Sequence, residues 1–103
     1  MSDFFDNAAK EWDTKHQRVA QAKAIAQIIE QTIPLTRATK ALEFGCGTGL
    51  LGFNLIEKVG EITFSDTSRG MLSEVENKLK ISACTSAKIV DLNVAKIVDC
   101  YDL

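Results

Sequence analysis

The sequence predicts an α/β fold built on a parallel sheet, and two observations carry that prediction. The stretch A-L-E-F-G-C-G-T-G-L-L-G at 41–52 is a short apolar run, then glycines at 45, 47 and 49, then a second apolar run. This is the form of a strand that turns sharply into a helix. Glycine suits such a turn because it tolerates positive φ and lets the main chain approach a bound group. Further along, short β-prone runs alternate with a longer run whose apolar residues fall three and four apart, the pattern of β-α-β units.

Taken in order, residues 2–12 read as a short helix capped by Ser2 or Asp3, with Phe4, Phe5, Ala8, Ala9 and Trp12 near one side. Thr14 is placed to cap a second, longer helix running to about residue 32. Val19, Ala22, Ile25, Ala26, Ile28, Ile29 and Ile33 give it an amphipathic stripe. Pro34 ends it, because the residue before proline disfavours the helical region. A polar linker over 36–40 leads into the first strand, 40–44. A helix is expected over 50–59, with Gly60 as its stop.

The second strand spans 61–65 and is closed by Asp66. Thr67 or Ser68 opens a helix over 69–80 with Met71, Leu72, Val75 and Leu79 as its apolar stripe. Gly70 weakens that helix by ~1 kcal/mol against alanine. A polar connection over 81–87 precedes a short third strand, 88–90, followed by Asp91 and Leu92. The sequence assigns no regular structure to 93–98.

At 103 residues the chain is one domain at most, and 46 % apolar with 25 % charged residues is an ordinary globular composition. The net charge is −2 and no Lys/Arg block exists, so a nucleic-acid backbone is a poor match. Arg37 and Lys40 are the strongest basic clustering and read as a solvated loop. The three cysteines are odd in number and form no C-x-x-C, which argues against a disulfide framework or zinc site and for a reducing, cytoplasmic setting. No signal peptide is legible, and no apolar run nears the ~18 residues of a membrane span. Cys46, inside the glycine stretch, is either a small packing residue or a reactive thiol. His16, the only histidine, is either a surface or packed residue or a general base.

The glycine turn leaves the ligand to be decided. Helix-start N–H groups lack partners and favour a negative group. Gly47, Gly49 and Gly52 satisfy G-x-G-x-x-G, and Asp66 lies about where a ribose-binding acid belongs, ~20 residues on. A nicotinamide dinucleotide is therefore one candidate. Against it, the glycine directly after the strand, Gly45, is surplus to that pattern. Glu43 is the stronger objection, because a charged residue in an apolar strand breaks a local rule and such breaks mark function. A pyrophosphate ~4 Å from its carboxylate costs ~4 kcal/mol at an effective dielectric of about 20. An ammonium or sulfonium is attracted there instead. The alternative for Glu43 is that it accepts hydrogen bonds from loop N–H groups and holds the loop. Asp66 likewise either accepts bonds from ribose hydroxyls or caps the next helix.

The run E-F-G-C-G-T-G resembles the first motif of class I S-adenosylmethionine (SAM)-dependent methyltransferases, an acid followed by Gly-x-Gly-x-Gly, matched by Glu43, Gly45, Gly47 and Gly49. The resemblance implies a Rossmann-like SAM-methyltransferase fold and SAM as cofactor. It puts the glycine loop and Glu43 at the methionine portion and Asp66 at the ribose. D-T-S-R-G-M-L resembles the family's D-x-S-x-x-M-L, which adds Thr67 and Met71, the methionine beside adenine. Asp91 and Leu92 fall where the family surrounds adenine. F-F-D-N-A-A-K-E-W-D resembles the cap helix of small-molecule methyltransferases, which closes the cofactor pocket; core packing is the other reading of Phe4, Phe5 and Trp12.

The implied organisation is a helical cap over 1–34 and the N-terminal part of the SAM-binding domain over 40–103. The family's sheet has strand order 3-2-1-4-5-7-6. This chain supplies strands three, two and one, with Tyr101, Asp102 and Leu103 resembling the start of the fourth. The strand-one edge is then expected to be exposed and open to self-association. The implied activity is methyl transfer from SAM to a small-molecule acceptor, whose binding residues are not named by this stretch. An NAD-dependent oxidoreductase fragment and a non-catalytic SAM-binding module are the competing readings.

Overall fold

The computed structural model describes residues 3–82, 84 and 86–103. Its elements run α1 (Asp3–Trp12), α2 (His16–Thr32), β1 (Lys40–Phe44), α3 (Leu50–Leu55), β2 (Glu61–Asp66), α4 (Arg69–Ser82) and β3 (Ala87–Asp91). The strands form one parallel sheet in spatial order β1-β2-β3, with Glu43 opposite Phe64 and Asp66 opposite Asp91. The fold class is therefore the α/β class that the glycine turn predicts.

Both crossovers move the same way across the sheet, and right-handed connections put α3 and α4 on one face. The core lies there. Phe64 and Val75 are wholly buried, with Ile62, Leu72 and Val59 beside them. Phe53 of α3 stacks on Phe64 with ring centroids 5.0 Å apart. Removing a ring buried like that of Phe64 costs about 3–5 kcal/mol. Two further helices complete the layer, α1 packing on α4 and α2 on α3.

Beyond β3, the chain returns to the free edge of β1. The Asp102 N–H donates to the Lys40 carbonyl (2.7 Å) and the Leu42 N–H donates to the Leu103 carbonyl (3.0 Å). The Asp102 carboxylate also accepts from the Lys40 N–H (2.9 Å). Residues 101–103 thus begin a fourth line beside β1, giving the spatial order 3-2-1-4. The edge expected to be bare is covered as far as the Leu42–Leu103 bond. Phe44, at its end, remains 71 % exposed.

Several local expectations are corrected. Thr14 does not cap α2; its hydroxyl donates to the Glu11 carbonyl and closes α1, while Lys15 precedes α2 without a side-chain cap. The Ser2 cap lies outside the described residues. The helix expected over 50–59 ends at Leu55, where the Lys58 N–H bonds the Leu55 carbonyl (2.9 Å) and the turn drives Val59 into the core. The α2 stripe is only partly covered: Ala22 and Ala26 are buried, whereas Val19, Ile25, Ile28 and Ile33 are exposed. Phe4 and Phe5 are exposed too, so neither is a core residue. Among the described residues, no helix is long and apolar enough to cross a membrane.

Candidate functional site

The loop between β1 and α3 is the centre of the site. Gly45, Gly47 and Gly49 have φ of 70°, 58° and 81°, conformations that side-chain-bearing residues rarely adopt. The loop is fastened from several directions. The Cys46 N–H donates to the Ser65 carbonyl (2.8 Å), and the Gly47 N–H donates to Asp66 Oδ2 (2.8 Å). The buried Thr48 hydroxyl donates to Asp13 Oδ1 (2.5 Å). Lys78 Nζ reaches both Asp13 Oδ2 (2.6 Å) and the Thr48 carbonyl (2.8 Å). The junction of α1 and α2, the loop and α4 are thereby locked together.

Glu43 projects from β1 to the start of α3. Its Oε1 accepts the N–H of Gly52, in the first turn of that helix (3.1 Å). The fit is close: a Cβ on Gly52 would lie 2.4 Å from the Phe64 ring and 2.8 Å from Glu43 Oε1. Burial pushes the Glu43 carboxyl up from 4.5 to about 7, against the opposing pull of the Gly52 N–H and Lys78. Glu43 therefore binds a helix-start donor and also lines two cavities. The bond to Gly52 is the loop-holding role read for this residue from the sequence.

Burial likewise pushes the Cys46 thiol well up, and it donates to the Gly47 carbonyl (3.2 Å). A protonated, buried thiol is a packing residue and a poor nucleophile. His16 is exposed at the start of α2.

Asp66 ends β2 with both oxygens engaged, Oδ2 by Gly47 and Oδ1 by the Ser68 N–H (2.9 Å). A carboxylate has about four acceptor positions, so two remain for a diol. Phe5, Trp12, Gly45, Gly47, Asp66, Thr67 and Met71 surround a cavity of about 250 Å³. Met71 is buried, and its sulfur lies 4.0 Å from where a Gly47 Cβ would stand, as Trp12 Nε1 does at 3.8 Å. A second cavity, of about 220 Å³, adjoins Glu43, Cys46 and Thr48 on the α2 side, and Trp12 lines both.

The structure thus brings Gly45, Gly47, Asp66, Thr67 and Met71 together, with Glu43 across the loop. Gly49 sits behind, where a Cβ would strike the Phe53 and Phe64 rings at 2.9–3.0 Å. Asp91 and Leu92 do not line either cavity. Asp91 instead accepts from the Asn93 N–H (2.9 Å) and pairs with Arg69 (3.4 Å), and the Leu92 N–H donates to the Asp66 carbonyl (3.0 Å).

Two acids were not legible as site residues. Asp13 braces the glycine loop. Asp6 accepts from the Ser68 hydroxyl (2.5 Å) and the Gly70 N–H (2.8 Å), strapping α1 over the first cavity. The Ser68 hydroxyl, with the Gly70 N–H, holds the Asp6 carboxyl below its ordinary range. Gly70 gains a reason here: a Cβ would stand 2.7 Å from the Asp6 Cα, so only glycine lets α1 come this close.

No family model matches the sequence, and no curated protein matches it. Solved structures do. A protein of Methanococcus maripaludis assigned as an S-adenosyl-L-methionine-dependent methyltransferase superimposes with a TM-score of 0.68 at 22 % identity, over 82 % of this chain and 40 % of that one. Magnesium protoporphyrin IX methyltransferase from Synechocystis PCC 6803, with bound SAM, gives 0.66 at 20 % identity, over 82 % and 41 %. A dimethyladenosine transferase from Plasmodium falciparum gives 0.63 at 22 % identity, over 77 % and 28 %. The chain spans between about a quarter and two fifths of the length of these structures. At such identities the likeness is one of architecture: the chain carries the β1–β3 portion of the Rossmann-like fold of class I SAM-dependent methyltransferases.

Proposed function

We propose that this chain is the cofactor-binding half of a class I SAM-dependent methyltransferase acting on a small-molecule acceptor. The observation that carries the reading is Glu43. Its carboxylate already occupies an N–H in the first turn of α3, where a diphosphate would need open donors and no negative neighbour. The same carboxylate suits the ammonium of an amino-acid head. Two features of the other cavity fit a nucleoside. Asp66 keeps acceptor capacity for ribose hydroxyls, and Met71 and Trp12 offer apolar walls to a flat base.

SAM supplies an electrophilic methyl group, whose transfer to a nucleophilic oxygen, nitrogen or carbon leaves the neutral thioether S-adenosylhomocysteine. This chain's own part is to bind and orient. The glycine loop lets the main chain approach the ligand, Asp13, Thr48 and Lys78 keep that loop in one shape, and α1 covers the nucleoside from solvent. The fold does not choose the acceptor, since proteins named for a porphyrin and for adenosine share it. The net charge of −2 and the helical cover favour a small molecule over nucleic acid.

Thermal shift tests the reading. S-Adenosylhomocysteine at ~100 times its Kd is expected to stabilise the protein by about 2.7 kcal/mol, a rise of ~10 °C or more for a chain of this size. NAD at the same concentration is expected to do nothing. Stabilisation by NAD and not by S-adenosylhomocysteine would overturn the proposal.

A further inference from the structure

Helix α2 has two faces, and only one is covered. Ala22 and Ala26 are buried where the helix packs on α3. The opposite side presents Gln17, Ala20, Ala24, Gln27, Ile28 and Gln31, all exposed. At 3.6 residues per turn these fall within an arc of about 100°. Their spacing of three and four is that of a helix–helix seam. No charged residue falls in that arc. A helix face that meets only water normally carries charges. This one carries alanine, glutamine and an isoleucine that is 61 % exposed. The charges of α2 lie at its margins. Arg18 is held over the Trp12 ring, whereas Lys23 and Glu30 stand two turns apart on the other flank. Among the described residues Lys23 makes no ion pair.

These positions complement themselves. Ala20, Ala24, Ile28 and Thr32 form one ridge at i, i+4 spacing, the kind that interdigitates in the commonest helix packing. The two alanines make the first half of the ridge low, and Ile28 makes the second half high. Turning a second copy end for end sets each Ile28 over the partner's Ala24. The same register brings each Lys23 beside the partner's Glu30. Lys58 engages Glu30 through Oε1, and a carboxylate has about four acceptor positions, so Lys23 adds to that pair without displacing it. A matched hollow and ridge, with opposite charges at matched places, is what a two-fold contact between identical surfaces needs. We infer that this chain forms an antiparallel dimer through the outer face of α2. One helix face buries well under the ~800 Å² per partner of a standard interface, so the dimer is weak, with a Kd on the order of 100 µM. The contact is separate from the β1 edge, which residues 101–103 cover in part.

Sedimentation equilibrium from about 10 µM to about 1 mM, a range that brackets such a Kd, tests the proposal. The wild-type protein is expected to pass from monomer toward dimer, with no larger species. Ala24→Glu and Ile28→Glu bury an unpaired charge in the contact, and each is expected to weaken the dimer about tenfold or more. Lys23→Glu sets like charges together at its margin and is expected to weaken it about threefold. A wild-type protein that stays monomeric throughout would overturn the proposal. A dimer that both Ala24→Glu and Ile28→Glu leave intact would also overturn it, moving the contact to another surface such as the β1 edge. Amide NMR shifts of the wild type on dilution give a reading that needs no variant to fold. They are expected to be largest over 20–31, and shifts confined to 40–44 and 101–103 would overturn the proposal.

Discussion

Replacing Glu43 by glutamine is expected to make the protein more stable above pH 7 while removing its ligand affinity. The carboxyl sits at 4.5 in an ordinary setting and at about 7 in the fold, because burial penalises the charged form. The folded state therefore holds this proton more tightly than the unfolded chain does. Its contribution is fully present below about 4.5 and is lost as pH rises through about 7. At ~1.36 kcal/mol per pH unit, the gap from 4.5 to about 7 amounts to roughly 3 kcal/mol of destabilisation at pH 8. Glutamine keeps the shape and an oxygen for the Gly52 N–H but never ionises. Allowing about 1 kcal/mol for an imperfectly paired amide leaves a gain of roughly 2 kcal/mol. Urea denaturation at pH 5 and pH 8 reads it: the variant should exceed wild type at pH 8 and match it near pH 5. A variant no more stable at pH 8, or one with the wild-type pH slope, would refute the reasoning. In the wild type, an ammonium ligand binds the ionised form, so affinity for S-adenosylhomocysteine should increase as pH rises through about 7.

Gly52→Ala should cost about 1–3 kcal/mol in urea denaturation, since the methyl meets the Phe64 ring and Glu43 Oε1 on fixed elements. Thr48→Val deletes the donor to Asp13 at a buried position and should cost about 1.5–3 kcal/mol, checked by the same titration, with weaker S-adenosylhomocysteine binding in calorimetry. Asp6→Ala removes the acceptor that straps α1 to Ser68 and Gly70, so limited proteolysis should cut within α1 faster than in wild type. Because the Asp6 carboxyl is held below its ordinary 3.8, the strap should persist above that pH and be lost as pH falls through the lowered value.

What could be read from the sequence was what local chemistry dictates. Glycines alternating after an apolar strand, an acid two residues ahead of them and an acid closing β2 each constrain their own neighbourhood, and all three stand where the pattern put them. The bounds of β1 followed from the same reasoning, whereas the edge of β1 that residues 102–103 cover was expected to be bare. What could not be read depends on contacts distant in sequence. Asp6 and Asp13 look like ordinary surface acids until α1 lies on α4 and meets Ser68 and Thr48, 62 and 35 residues away. Gly70 looks like a weak helix residue until Asp6 is against it. Arg18 reads as an ordinary surface cation until Trp12 lies under its guanidinium. The α2 stripe misled for a related reason: periodicity gives a face but not whether anything covers it, and Ile25, Ile28 and Ile33 stay exposed.

Trp12 is the only tryptophan in the chain. It stands between the two cavities with a guanidinium over its ring and the glycine turn beside its indole nitrogen. The protein consequently carries a built-in optical reporter: any compound entering either compartment changes the polarity and charge around one fluorophore. Titrations can be followed by intrinsic emission without a label, and a charged amino-acid tail and a bare nucleoside should leave different spectral signatures.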